Sequence, residues 1–132
     1  MKHLFVFAML VVSITAQGLS PDDFRSLLGY HQECKTETNI EDSLATGVFM
    51  GNFPDNTVLK QHMFCISKKL GYQNDDGELQ RDKIREKLVT VLKDEDKADQ
   101  YMEKCAVEQG DPEETAFQVT KCIYDTVHDG MV

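Results

Sequence analysis

The chain has 132 residues, of which 23 are acidic and 14 are basic, and its formal net charge is −9 at pH 7. This length is typical of a single small domain. The acidic excess disfavours nucleic acid and anionic lipid as partners, because both bind basic surfaces. Beyond its first residues the chain has no run of ~20 apolar residues, so stable insertion into a membrane is not expected.

Residues 1–16 predict a secretory signal peptide. A short basic start is followed by an apolar run at residues 4–14 and by the small residues Thr15 and Ala16 at the cleavage site. We therefore expect a mature domain of residues 17–132 in extracellular fluid.

Six segments of this domain have the 3.6-residue period of an amphipathic helix, and none alternates in the way that a strand does. The predicted class is therefore all-α. The first and last segments place a capping residue directly before a proline, which is typical of a helix N-terminus. The predicted helices start at Ser20, Thr38, Asp55, about Arg81, about Glu95 and Asp111.

The second segment is short, and a capping-box pattern at residues 38–41 predicts its start. The irregular connection at residues 48–54 follows it and is apolar. Side chains such as Phe49, Met50 and Phe53 pack back onto a domain either as part of its core or at the mouth of a pocket.

The third segment has signals at both of its ends. Asp55 is predicted to cap its first N–H groups, and Gly71 is the residue type that ends a helix in the left-handed conformation. Leu59 and Met63 lie one turn apart on its apolar face. Cys65 lies near the middle, so its disulfide partner is held against this helix.

The domain contains four cysteines, each on a different predicted helix. In a secreted chain of this size they imply two disulfides, for which three pairings are possible. They are Cys34, Cys65, Cys105 and Cys122.

The cysteine spacing and the six helices resemble the insect odorant-binding proteins, the pheromone and general odorant-binding family. The resemblance covers essentially the whole mature chain, and its most specific stretches are residues 65–79 and 105–122. The family usually has six cysteines, the second four residues before the third and the fifth nine before the sixth. Here those two positions are Gln61 and Glu113.

The two missing cysteines pair with each other in the family, so one whole bridge is lost, as in the group known as minus-C proteins. The resemblance implies that the remaining bridges are Cys34–Cys65 and Cys105–Cys122. It also implies a compact six-helix fold around an apolar cavity.

By this resemblance the chain is a secreted carrier that binds odorants, pheromones or other volatile or lipid-like molecules reversibly, with no cofactor. It would be a monomer or weak dimer, with an odorant receptor as an indirect partner. Methionine side chains suit an adaptable cavity wall, and tyrosine hydroxyls can orient a ligand oxygen. The residues expected to line the cavity are Leu27, His31, Met50, Phe53, Leu59, Met63, Ile84, Leu88, Tyr101, Met102, Phe117, Tyr124 and Val132.

Two other functions remain open. His31 with Cys34, and His62 with Cys65, form two His-x-x-Cys pairs that could hold a zinc ion on helices. A disulfide between these cysteines excludes that site and would leave the histidines at the pocket edge or on the surface. The other alternative is a secreted helical interaction protein with no ligand cavity. The motifs of hydrolases, metalloproteases and phosphate-binding enzymes are missing, so no enzymatic activity is predicted.

Overall fold

A computed structural model describes residues 21–129 of the chain. These residues form six α-helices and one short 3-10 helix, without a strand among them, which confirms the predicted all-α class. None of these helices is long and apolar enough to cross a bilayer. The predicted signal peptide, Ser20 and Val132 lie outside the described residues. The helices are α1 Pro21–Thr38, α2 Asp42–Gly47, the 3-10 helix Val48–Met50, α3 Thr57–Leu70, α4 Arg81–Leu92, α5 Glu95–Cys105 and α6 Pro112–His128.

Three of the helices begin at a side chain that accepts a hydrogen bond from the first turn. Asp94 caps α5 and Asp111 caps α6, as the acidic residues at both starts indicate. The cap of α3 is Asn56, whose Oδ1 accepts from the Leu59 N–H at 2.9 Å, and not Asp55 as predicted. Each such cap stabilises a helix by about 1 kcal/mol, because the N–H groups of the first turn have no partner within the helix.

The start of α2 differs from the prediction. Thr38 is the last residue of α1, and its Oγ1 donates to the carbonyl oxygen of Cys34 at 2.9 Å. Asn39 then turns the chain with a φ of +59°. The helix α2 begins at Asp42, and the preceding Glu41 makes no capping hydrogen bond. The predicted capping box is wrong because its hydroxyl is already engaged within α1.

Both predicted disulfides are present. Cys34–Cys65 fastens α1 to α3 with its Cα atoms 5.9 Å apart. Cys105–Cys122 fastens the last residue of α5 to α6 with its Cα atoms 5.4 Å apart. All four cysteines are therefore used, and each bridge joins two different helices.

The helices enclose two apolar clusters, because α3 packs against α1, α2 and α6 while α5 packs against α4 and α6. The helix α6 contributes side chains to both. The α2–α3 cluster consists of Ile40, Leu59, Met63, Ala116 and Phe117, with Leu44, Ala45, Val48, Phe53, Val58 and Phe64 packed against them. The α4–α5 cluster consists of Ile84, Leu88, Ala98, Tyr101, Met102 and Ala106, with Tyr72, Leu79, Val89, Leu92, Ile123 and Val127 packed against them.

The loop between α3 and α4 is fastened to the start of α6. Gln73 is buried, and its Nε2 donates to the carbonyl oxygens of Gly77 at 3.0 Å and Pro112 at 3.1 Å. Gly77 has a φ of +87°, and a Cβ atom added there would lie 2.3 Å from side-chain atoms of Pro112. This contact therefore requires glycine for its conformation and for its small size.

We expect Gly77→Ala to lower the free energy of unfolding by about 2–4 kcal/mol, because the added methyl group combines a left-handed φ with an overlap with Pro112. Thermal unfolding followed by circular dichroism measures this loss. Gly110→Ala is the matched control, since Gly110 also has a positive φ but its added Cβ would lie 3.6 Å from the nearest side-chain atom. Equal losses in the two variants would contradict the steric explanation.

Candidate ligand-binding site

An open groove of about 880 Å³ lies between α2, the segment after the 3-10 helix and the start of α3. Its apolar floor belongs to the α2–α3 cluster and is formed by Ile40, Leu44, Phe53 and Val58. The rest of its lining is mainly polar and includes Glu41, Ser43 and the side-chain amides of Asn39, Asn52 and Asn56. An apolar floor with a few hydrogen-bonding groups is typical of a small-molecule site.

Sequence reasoning identified only one of these groove residues, Phe53. The apolar ones belong to short or irregular segments, where hydrophobic period carries little information. The sequence did not distinguish Asn56 from its neighbour Asp55 as the N-cap of α3, because the two residue types have equal preference for that position. The useful signal was the apolar segment at residues 48–54, of which residues 51–54 line the groove and Phe49 and Met50 are exposed.

Four of the predicted lining residues meet in the α2–α3 cluster. They are Phe53, Leu59, Met63 and Phe117. Phe53 borders both the groove and the cluster, and its ring makes an edge contact with that of Phe117 at a centroid distance of 6.0 Å. Apolar side chains therefore continue from the groove into the interior of the domain.

Tyr124 of α6 extends this aromatic contact. Its ring centroid lies 5.6 Å from that of Phe53 and 4.1 Å from that of His128, on which it stacks. The ring also packs against Gly51, where an added Cβ atom would lie 3.0 Å from the tyrosine hydroxyl. The predicted ligand contact of Tyr124 thus falls beside the groove, at the point where α6 meets the segment after the 3-10 helix.

Four other predicted lining residues meet in the α4–α5 cluster. They are Ile84, Leu88, Tyr101 and Met102. Tyr101 is only 1% exposed, and its hydroxyl is buried without a hydrogen-bond partner among the described residues. Burial raises the pKa of Tyr101, so this group remains a neutral O–H donor.

Three other predicted lining residues, Leu27, His31 and Met50, belong to neither cluster. Met50 is 79% exposed because the 3-10 helix turns its side chain outward. Leu27 is half-buried on α1, and His31 belongs to a polar network described below. For all of the predicted lining residues ligand contact stays a prediction.

His31 and His62 each precede a bridged cysteine by three residues, and the Cys34–Cys65 link brings them together. Their Nδ1 and Nε2 atoms lie 2.9 Å apart, and His62 Nδ1 lies 3.1 Å from Thr38 Oγ1. Because Thr38 gives its hydroxyl proton to a backbone carbonyl, its oxygen accepts from His62 Nδ1–H. His62 Nε2 then accepts from His31 Nδ1–H, an assignment that follows from the network.

This arrangement keeps His62 neutral. Burial, and then repulsion from a protonated His31, together lower the pKa of His62 to about 4. At the outer end of the network, Asp42 Oδ1 lies 2.9 Å from Lys35 Nζ and 3.3 Å from His31 Nε2. The hydrogen bond from Lys35 lowers the pKa of Asp42, and His31 adds to this effect when both of its ring nitrogens carry a proton. His62 is 2% exposed, so its predicted place at a pocket edge or surface is wrong.

The Cys34–Cys65 bridge also excludes the predicted zinc site. Cys34 and Cys65 are bonded to each other, so neither sulfur is the thiolate that zinc requires. Glu37 Oε2 lies 2.9 Å from Cys65 Sγ, but one carboxylate beside a disulfide supplies a single ligand. The predicted alternative of a site with two histidines and two cysteines is therefore wrong for the oxidised chain.

An ion pair joins α3 to α6 next to the positions that correspond to the missing third bridge, and a second one joins α3 to the residues before it. Lys60 Nζ lies 2.6 Å from a carboxylate oxygen of Glu114 and 2.6 Å from one of Asp55. Hydrogen bonds from Asp55 and then Glu114 raise the pKa of Lys60, and the bond from Lys60 lowers that of Glu114. Gln61 and Glu113 are the sequence neighbours of this pair, so a polar contact stands next to the positions where a covalent link is missing.

Comparison with known proteins agrees with this geometry. Residues 16–126 match the model of the PBP/GOBP family. The B2 protein of Tenebrio molitor is 34% identical over 114 residues, or 86% of this chain and 89% of that protein. Odorant-binding protein 10 of Aedes aegypti is 30% identical over 128 residues, or 92% of this chain and 90% of that protein. The structure of the fatty acid binding protein OBP56a from the oral disk of the blowfly Phormia regina superposes with a TM-score of 0.67 at 22% identity, covers 86% of this chain and 97% of its own, and shows a shared fold.

Proposed function

The chain belongs to the PBP/GOBP family, and on this premise we propose that it is a secreted carrier that binds small hydrophobic molecules reversibly. The observation that carries this proposal is that apolar residues from α2, α3 and α6 form one cluster whose outer members are the floor of an open groove. A volatile or lipid-like ligand would partition from the groove into the apolar interior. No covalent step and no cofactor are needed.

The free energy of apolar burial supports a carrier that both captures and releases its ligand. Burying roughly 200–300 Å² of ligand surface at about 25 cal/mol per Å² contributes roughly 5–8 kcal/mol before ordering costs. This corresponds to about micromolar dissociation constants, which allow both capture and release. Met63 and Met102 provide walls that adapt to different ligand shapes, because an unbranched thioether has several rotamers of similar energy.

An extracellular location follows from the same proposal. Residues 1–16 have the pattern of a signal peptide, and two disulfides are typical of an oxidising compartment. The net negative charge opposes self-association and suits a monomer or weak dimer. An odorant receptor would then receive the ligand and would be only an indirect partner.

Displacement of a fluorescent apolar probe by long-chain alcohols and terpenoids tests this function. We expect saturable, roughly micromolar binding, and we expect Val58→Phe to weaken it by about 10-fold, because the larger ring fills the groove floor. Val107→Phe is the matched control, since Val107 is exposed and does not line the groove. A wild-type protein that binds no probe would contradict the carrier and favour a helical interaction protein.

A further inference from the structure

We propose that the open groove over the α2–α3 cluster binds amphiphilic amines, with the protonated head group beside the carboxylate of Glu41 and the hydrocarbon chain on the apolar floor. The inference rests on the proposed carrier function and specifies a ligand class for the same groove. Alkylammonium ions fit this class and fatty acids do not. Alcohols of the same length bind through the chain alone, without a contribution from charge.

The starting observation is a single uncompensated charge in the groove. Among the described residues that line it, Glu41 alone is charged, and the other side chains are apolar or neutral and polar. The carboxylate of Glu41 does not cap α2, and it has neither a hydrogen bond nor an ion pair within residues 21–129. A carboxylate in this position attracts a cation and repels an anion.

The stretch of chain that forms most of the groove contains no base to pair with this carboxylate. Residues 36–59 include several acidic residues but no lysine, arginine or histidine. The lysines that flank this stretch are already paired, because Lys35 Nζ lies 2.9 Å from a carboxylate oxygen of Asp42 and Lys60 Nζ lies 2.6 Å from one of Asp55. The groove carboxylate is therefore available to a ligand cation.

The neutral polar side chains of the groove also suit an ammonium group. Three amides and one hydroxyl line it, from Asn39, Asn52, Asn56 and Ser43. Asn56 Oδ1 is used by the cap of α3, which leaves the oxygen atoms of the other three as acceptors. A primary ammonium has three N–H donors, so it can bind neutral acceptors together with one carboxylate. Hydrogen bonds from a charged donor are stronger than those from a neutral one.

The order of residues in the groove matches the two parts of an amphiphile. Ile40 is 2% exposed and belongs to the floor, whereas the adjacent Glu41 is exposed. Consecutive residues thus place an apolar surface and a charge side by side. Because the groove is open, the ammonium group keeps part of its hydration, and the cost of burying a charge is avoided. Exposed ion pairs contribute little free energy, so Glu41 adds selectivity to affinity that comes from apolar contact.

Two ligands with the same hydrocarbon chain test the assignment. We would measure the dissociation constants of decylamine and 1-decanol by probe displacement at pH 7 and low ionic strength, because the two differ only in the head group. Glu41→Gln is expected to weaken amine binding by about 3-fold and to leave the alcohol unchanged. Glu86→Gln is the matched control, since it removes the same charge from an exposed position on α4 that does not line the groove. We expect it to change neither constant.

The outcomes separate this proposal from the carrier function. An unchanged amine-to-alcohol ratio in Glu41→Gln would overturn the role of Glu41 while leaving the carrier intact. Equal losses in Glu41→Gln and Glu86→Gln would do the same, because they would assign the preference to the net charge of the chain. Tighter wild-type binding of decanoate than of decylamine would overturn the cationic class. If neither decylamine nor decanol displaced the probe, the carrier function would fail and this inference with it.

Contacts between ligand and protein protons are a second readout that needs no variant. In NMR spectra of wild-type protein with bound decylamine, we expect nuclear Overhauser effects from the methylene group next to nitrogen to the side chain of Glu41. The methylene groups of the chain are expected to contact Leu44 and Val58, which belong to the floor. Contacts of the ammonium end only with residues outside the groove would overturn the assignment.

Discussion

Replacing Cys34 and Cys65 together by alanine is expected to lower the free energy of unfolding by about 4 kcal/mol. The bridge closes a sequence separation of 31 residues, and the unfolded chain gains conformational freedom when that link is removed. The loss is a large share of the roughly 5–15 kcal/mol that stabilises a domain of this size. Urea unfolding under non-reducing conditions, with the midpoint and slope both fitted, measures it.

Cys105→Ala with Cys122→Ala provides the comparison, because this bridge closes a separation of only 17 residues. We expect its loss to cost roughly 3 kcal/mol, less than the loss of the longer link. Wild-type stability in either double variant would show that its bridge does not constrain the unfolded chain. A larger loss at the shorter bridge would contradict the chain-entropy explanation.

Lowering the pH from about 6.5 to 4 is expected to reduce the stability of the wild-type domain by on the order of 2–3 kcal/mol through His62. The pKa of His62 is about 4 in the folded chain, below its ordinary value of 6.5. Between these two values the unfolded chain binds a proton that the folded chain does not, so stability falls as the pH falls. Urea unfolding at half-unit pH intervals gives the profile.

His62→Gln tests the assignment, because glutamine keeps a polar side chain but does not titrate. We expect this variant to be less stable than the wild type at pH 7 and to have a flatter profile between pH 4.5 and 6.5. His128→Gln is the matched control, since His128 is exposed on α6 and lies outside the His31–His62 contact. A wild-type slope in His62→Gln would assign the acid sensitivity to other groups. Carboxyls with lowered pKa, such as Asp42, contribute only at more acidic pH.

The contact between His31 and His62 shows what a local sequence pattern predicts and what it does not. The His-x-x-Cys spacing on α1 and α3 indicates that each histidine lies one turn from its cysteine. It does not indicate that the two rings meet, because that depends on the bridge and on the angle between the helices. Thr38 is a similar case, since its hydroxyl can either cap the start of the next helix or donate to a carbonyl oxygen in the last turn of its own helix. The contact with His62 is visible only in the folded chain.

The sequence by itself determined the six helices, the four cysteine positions and the inward residues of α3 to α6, because hydrophobic period acts within a few residues. It did not determine the buried side of α1, where Phe24 and Leu28 are exposed. The pairing of the cysteines was predicted from the resemblance to a family, and the structure confirms it. Tertiary structure alone decided that the apolar residues divide into two clusters, that a groove opens onto one of them and that the hydroxyl of Tyr101 lies unpaired in the other. These features depend on how the helices and the segments between them pack in space, and no local pattern records the geometry of that packing.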